Sequence, residues 1–157
     1  SFHKRPAHMG NNDATSEQFI AEFLQHHTCD FVVQVHSIAP LLSASEVSEF
    51  VNRLQEDEVD TLFSVVNENL ECVYQDKPVN FSWSEKTNSQ DLQPVQRIVW
   101  AISAWRRSTY MKAFQANACA TYSGKIGYVA VSRMAGHVIK VREDLEMARV
   151  LYPVIAN

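Results

Sequence analysis

Histidine is the residue type in this chain that most invites chemistry, with six copies among 157 residues. A histidine metal site needs imidazoles and carboxylates that converge, most simply at i, i+4 on one helix face or in an H-E-x-x-H motif. The adjacent pair His26-His27 lacks that spacing and has no carboxylate motif beside it. It reads as a solvated helix end, and no metal site is expected. Ser37, Cys119 and Ser123 lack the strand–turn–helix setting of a nucleophile elbow. Arg106-Arg107 has the charge to hold a phosphate, but it follows a strand and reads as a solvated turn. His36 differs by position. It closes the apolar run Phe31-Val32-Val33-Gln34-Val35 and precedes Ser37 and the turn at Pro40. Its ring either faces a ligand crevice or is satisfied at a strand end. Lys4 and Arg5, beside Pro6, offer cations to an anionic ligand.

The elements that must position these residues follow from periodicity. An apolar run without alternation, such as residues 30–36, predicts a strand covered on both faces, as in a mostly parallel α/β sheet. Ligands of such sheets bind outside the carboxyl ends of the strands, which is where His36 falls. Upstream, Thr15-Ser16-Glu17 offers an N-cap to a helix with Phe19, Ile20, Phe23 and Leu24 on its apolar face. Downstream, Ser45 is expected to cap a helix carrying Val47, Phe50, Val51 and Leu54 at i, i+3, i+4 and i+7. Further strands are predicted at residues 59–66, through Cys72-Val73-Tyr74, and at 95–104, 127–131 and 138–141. Residues 82–94 are polar and predict an exposed loop. Helices are expected around Ser108 to Gln115 and from Glu143 onward, the last presenting Met147, Ala148, Leu151 and Tyr152. Strands alternating with helices make a single α/β domain, without repeats or linkers.

Bulk properties narrow the function classes. A net charge of −4 excludes nucleic-acid binding through a basic surface. No apolar run approaches the roughly 20 residues of a membrane helix. Ser1-Phe2-His3-Lys4-Arg5 has no apolar segment of a secretory signal, so the expected location is the cytoplasm. Three widely spaced cysteines, Cys29, Cys72 and Cys119, fit reduced and mostly buried thiols. None of the four glycines lies in a phosphate-cradling motif.

Four segments, in order along nearly the whole chain, resemble the acylneuraminate cytidylyltransferase family, which makes CMP-sialic acids and related CMP-sugars. The stretch from Arg5-Pro6 to Ser16 is similar to the family's Arg-Pro and small polar run before a helix. Asp30-Phe31-Val32-Val33-Gln34-Val35-His36-Ser37-Ile38-Ala39-Pro40-Leu41 resembles its strand D-x-V-V-x-x-Q-x-T-S/A-P-L. Asn88-Ser89-Gln90-Asp91-Leu92-Gln93-Pro94 resembles its T-Q-D-L-x-P loop, and residues 138–148 resemble its D-I-D-x-x-x-D-x-x-x-A segment.

The resemblance implies a partial nucleotide-diphospho-sugar-transferase-like (Rossmann-like) α/β fold in three layers, with mixed strands. It implies nucleotidyl transfer, in which a sugar-acid hydroxyl attacks the α-phosphate of CTP while Mg²⁺ offsets charge. Arg5, Asn12 and Ser16 fall where the family contacts nucleotide or sugar. His36 falls where it has a glutamine near the sugar, and Gln90 in a loop that reaches the neighbouring subunit. The D-I-D aspartates align with Val138 and Lys140. Valine offers Mg²⁺ no donor and lysine is itself a cation, so Mg²⁺ is not expected to bind tightly. Lys140 either replaces a metal charge at a phosphate or is solvated, and Asp144 reads as a first-turn helix carboxylate. The family's opening strand and phosphate loop are also expected to be missing. Three readings follow: the larger part of an enzyme, a dimeric sugar- or nucleotide-binding module without CTP chemistry, or a drifted reading frame that still folds. A homodimer is expected, with residues 95–105 and the Gln90 loop near the contact.

Overall fold

The structure is a computed structural model that describes residues 2–11, 13–56 and 58–155. A 3₁₀ turn at Ala7–Gly10 leads into α1, Ser16–His26. The helix starts where it does because Thr15 and Gln18 cap each other. The Gln18 N–H donates to Thr15 Oγ1 at 3.3 Å, and the Thr15 N–H donates to Gln18 Oε1 at 2.8 Å. Helix α2, Ala44–Glu56, has the same device at Ser43 and Glu46. The cap is therefore Ser43, not Ser45, because only Ser43 has a glutamate three residues on.

Strands β1 (Phe31–Val35), β2 (Thr61–Glu68), β5 (Val95–Arg106) and β6 (Ile126–Ala130) form one sheet in the order β1-β5-β2-β6. Strand β5 runs antiparallel to both β1 and β2, whereas β2 and β6 are parallel. The short β3 (Val73–Tyr74) and β4 (Lys77–Pro78) form a separate hairpin. Positive φ at Gln75 and Asp76 closes it, as a two-residue turn matched to strand twist requires.

Helix α1 and helix α3 (Arg107–Gln115) cover one face, burying Ile20, Leu24 and Tyr110 against Phe63 and Trp105. Helix α2 covers the other with Phe50 and Leu54 against Leu62, Ile102 and Ala104. The result is the three-layer α/β arrangement with mixed strands that was expected.

Between the pairs Phe63–Ser103 and Val65–Ile98, β2 advances two residues and β5 advances five. The buried Ser64 hydroxyl spans this bulge, donating to the Val99 carbonyl at 2.8 Å and accepting from the Ile102 N–H at 3.2 Å. Bulges of this kind re-aim side chains, and this one turns Trp100 toward Phe63 and His36, with ring centroids 5.3 and 6.2 Å apart.

Several expectations are corrected. Strand β1 is an edge strand, with Val33 and Val35 exposed, rather than a central strand covered on both faces. Its apolar run gives no local sign of having one neighbour instead of two. Residues 138–141 are not a strand. They cross the end of the sheet, where the Ile139 N–H donates to the Ile38 carbonyl at 2.8 Å. Helix α4 (Arg142–Ile155) buries only Ala148 of the four expected face residues. The cysteines are free, but Cys119 is exposed and Cys29 and Cys72 are only half-buried. Arg106 and Arg107 are half-buried and bonded rather than a free, solvated turn. Arg106 pairs with Asp60, and Arg107 donates to the Leu24 carbonyl. No helix among the described residues is long and apolar enough to cross a membrane.

Candidate functional site

Along β1 the side chains of Val32, Gln34 and His36 fall on the α1 side by strand alternation. The register sets Val32 opposite Trp105 and Gln34 opposite Ser103. A cavity of about 210 Å³ opens there, lined by Ser16, Gln34, His36, Thr121 and Lys140 with the indoles of Trp100 and Trp105. Each wall is fixed by ordinary local structure. The buried Trp105 donates from Nε1 to the Thr121 carbonyl at 2.9 Å, which locks its ring. Ser16 opens the capped first turn of α1. Lys140 is held from below by its own backbone, because its N–H and that of Val141 donate to Asp144 Oδ2 at 2.8 and 3.0 Å. Those two bonds hold the Asp144 carboxyl below its usual range.

Electrostatically the cavity is one-sided. Lys140 brings a cation, and no carboxylate lines it among the described residues. Two acids bonded to the backbone of lining residues are engaged there rather than in the cavity. Glu17 accepts the Thr121 N–H at 2.6 Å, and Asp144 accepts the amides just named. Burial first, and the Lys140 charge second, push His36 below the ordinary histidine value, so its ring is neutral near pH 7. Its backbone N–H donates to the Ala101 carbonyl at 2.9 Å, and Nε2 lies 3.5 Å from Ser103 Oγ. The site therefore combines one permanent charge with neutral hydrogen-bonding groups around two aromatic walls. It suits a small anion carried on a partly apolar or sugar-like body. Pockets for whole drug-sized ligands run to about 300–1,000 Å³, and this one, at about 210 Å³, is smaller.

Three of the residues anticipated from sequence, Ser16, His36 and Lys140, come together here. Arg5 is exposed, with its guanidinium 4.3 Å from the centre of the Phe19 ring, and does not line the cavity. Gln90 sits exposed in the loop before β5 and does not reach it. Asn12 lies outside the described residues. Sequence reasoning missed Gln34, although a polar residue two positions before His36 in an apolar strand was a readable sign. Trp100 was not readable, because the β5 bulge breaks the alternation. The side chains of Val138 and Lys140 offer Mg²⁺ no oxygen, and no carboxylate lines the cavity among the described residues. The residues present do not fit that ion.

No protein-family model matches the chain, and no curated protein matches its sequence. Solved structures do match by shape. CMP:2-keto-3-deoxy-manno-octonic acid synthetase complexed with CTP superposes with a TM-score of 0.60 at 13% identity, covering 89% of this chain and 68% of that one. The 4-diphosphocytidyl-2C-methyl-D-erythritol synthase from Anaerococcus prevotii gives 0.61 at 13% identity, with 89% and 67% covered. The fold is that of the nucleotide-diphospho-sugar transferases. The bifunctional IspDF from Campylobacter jejuni matches as well, with a TM-score of 0.58 at 15% identity over 83% of this chain. This chain spans 33% of that protein's length. Within the nucleotide-diphospho-sugar-transferase fold, the antiparallel β5 between β1 and β2 is what brings Trp100, Trp105 and His36 to one crevice.

Proposed function

We propose that this chain is a binding module of the CMP-sugar type, which holds the acid group of a sugar acid in the Lys140 cavity and does not itself carry out cytidylyl transfer. One observation carries the reading: Ser16, Gln34, His36 and Lys140 surround a single cavity that contains a cation and no opposing carboxylate. In the ligand-bound form, the Lys140 ammonium meets the carboxylate, Gln34 and Ser16 bond sugar hydroxyls, and an indole covers the apolar side of the ring. Transfer from CTP requires groups to hold a triphosphate and its metal, and the residues around the cavity do not provide them.

The test is calorimetric titration of the full chain with N-acetylneuraminate, 2-keto-3-deoxy-octonate, CMP and CTP, together with a pyrophosphate assay in CTP, Mg²⁺ and each acid. The expected result is binding of at least one acid, weakened about tenfold or more by Lys140→Ala (about 1.4 kcal/mol), with no pyrophosphate. Failure of every acid to bind removes the module reading. Robust pyrophosphate release replaces it with an enzyme.

Self-association belongs to the same proposal. The arm around β3 and β4 exposes five large apolar side chains, Leu70, Val73, Tyr74, Val79 and Trp83, and exposed apolar side chains gathered in one arm are a mark of an interaction surface. A homodimer formed through this arm and the adjoining part of β5 covers it. A monodisperse monomer in light scattering at micromolar concentration removes that part.

A further inference from the structure

On the outer side of α1, away from the cavity, the structure gathers three side chains that no part of the proposed function uses. Glu22 and His26 lie four residues apart on one helix face, and His3 reaches them from the segment before the helix. His3 Nε2 is 2.6 Å from Glu22 Oε2, and His26 Nδ1 is 3.2 Å from Glu22 Oε1. One ligand atom from each of the three lies within 4.8 Å of the other two. Glu22 is 8% exposed, the one acid among the buried residues described. Burying a carboxylate costs free energy unless positive charge or hydrogen bonds offset it. Among the described residues, that role falls to the imidazoles of His3 and His26.

We infer that His3, Glu22 and His26 form a binding site for Zn²⁺ or a similar late first-row divalent cation. Imidazole and carboxylate together select this class over Mg²⁺ or Ca²⁺, which favour all-oxygen shells. Bonds of about 2.0–2.2 Å at tetrahedral angles put neighbouring ligand atoms about 3.3 Å apart. The separation of His26 from Glu22 Oε1 already matches. His3 pairs with the other oxygen, Oε2, and must move apart from it by roughly 0.7 Å as the ion enters against the carboxylate. His26 Nδ1 also gives up its 2.9 Å contact with the Glu22 carbonyl, so the neutral ring carries its proton on Nε2 when the ion is bound.

The far nitrogen of His3 already has a partner. His27 Nε2 lies 3.0 Å from His3 Nδ1, and its ring stacks on Phe23 with centroids 4.2 Å apart. Metal-ligating histidines characteristically bond a partner through their other nitrogen, which fixes the ring. With three protein ligands, and with His26 at the protein surface, the fourth position opens to water. The ion would tie the segment around His3 to α1 and would leave one exchangeable coordination site.

The test strips the full chain with chelator, then titrates it with Zn²⁺ against a chromophoric competitor, and with Co²⁺ while recording its visible spectrum. Expected are one strong site per chain, tetrahedral or five-coordinate Co²⁺ bands without thiolate charge-transfer absorption, and a metal-dependent rise in Tm. Glu22→Gln and His26→Ala should each weaken binding by more than about a hundredfold, while His27→Ala costs about tenfold to a hundredfold and keeps the Co²⁺ spectrum. His137→Ala, a remote histidine bonded to the Asp144 carbonyl, leaves binding unchanged. His26 is exposed, so its variant folds and keeps the test decisive even where Glu22→Gln does not fold. Absence of a strong site overturns the inference. So do thiolate bands, or affinity that His26→Ala leaves intact.

Discussion

Two charged regions at the sheet differ in how completely their groups are matched. At the corner between β2, β5 and α3, Asp60 accepts from Arg106 Nε at 3.0 Å, Thr109 Oγ1 at 2.9 Å and the Lys125 N–H at 2.9 Å. Arg106 adds a bond to the Val59 carbonyl and lies over the Phe31 ring. At the cavity, by contrast, the exposed Lys140 shares the wall with neutral groups and no carboxylate, and Glu17 and Asp144 are bonded to backbone amides of the lining residues Thr121 and Lys140. A matched cluster stabilises the fold, and an unmatched charge in a concave site is available to a ligand. That difference, more than the number of charged residues, separates framework from site.

The largest expected effect lies at the matched corner. Asp60→Ala removes three charge-assisted contacts and should lower stability by about 2–4 kcal/mol, measured by urea unfolding. The Lys125 amide and the other donors hold the Asp60 carboxyl below its usual range. The stability it contributes is therefore full above the unfolded carboxylate value and fades as pH falls through the depressed folded one. The variant should lose that acid sensitivity. A loss under about 0.5 kcal/mol would mean that the corner is not structural, and the comparison would collapse.

Gly124 sharpens it next. Its φ is +72°, and an added Cβ would lie 2.4 Å from Asp60 Cβ. Gly124→Ala therefore disturbs the same carboxylate through the backbone. A loss of about 1–3 kcal/mol is expected in thermal melts, non-additive with Asp60→Ala because both act on one network.

Lys140→Met tests the other side. Stability should stay within about 0.5 kcal/mol of the parent, since no side-chain partner is lost. An unfolding midpoint that shifts as far as in Asp60→Ala would show that Lys140 belongs to the framework. The smallest effect is at His36. Burial and Lys140 lower its proton affinity, so the neutral ring's contribution is full above the ordinary histidine value near 6.5 and is lost as pH falls through the lowered folded one. His36→Gln should flatten that slope in a stability-against-pH series. An unchanged slope would assign it to other histidines.

Much of the framework was legible because its causes are local. The stripes of α1 and α2 and the apolar run of β5 can be read off spacing, and Ser43 could have been found from Glu46 three residues on. Whether an apolar strand has one neighbour or two is decided by chain far away, so β1 and residues 138–141 were misassigned. His36 was flagged by its place at a strand end, and Lys140 by the resemblance of residues 138–148 to the family's D-I-D segment. Their meeting depends on the crossing of residues 138–141 over the loop after β1, which no local pattern encodes. The Glu22–His26 spacing was in plain view, but His3 lies 19 residues away and only folding brings it there.

The edge position of β1 has a consequence in time as well as in space. His36 donates its N–H to β5, and the Arg107 N–H reaches back to the Asp30 carbonyl, so the even-numbered residues of this stretch face the partner strand. Val33 and Val35, between them, turn their amides to the open side. Deuterium should therefore enter this strand at two speeds, fast at Val33 and Val35 and slow at Val32 and Gln34. The spacing between those rates reads out, residue by residue, how firmly the last strand of the sheet is held.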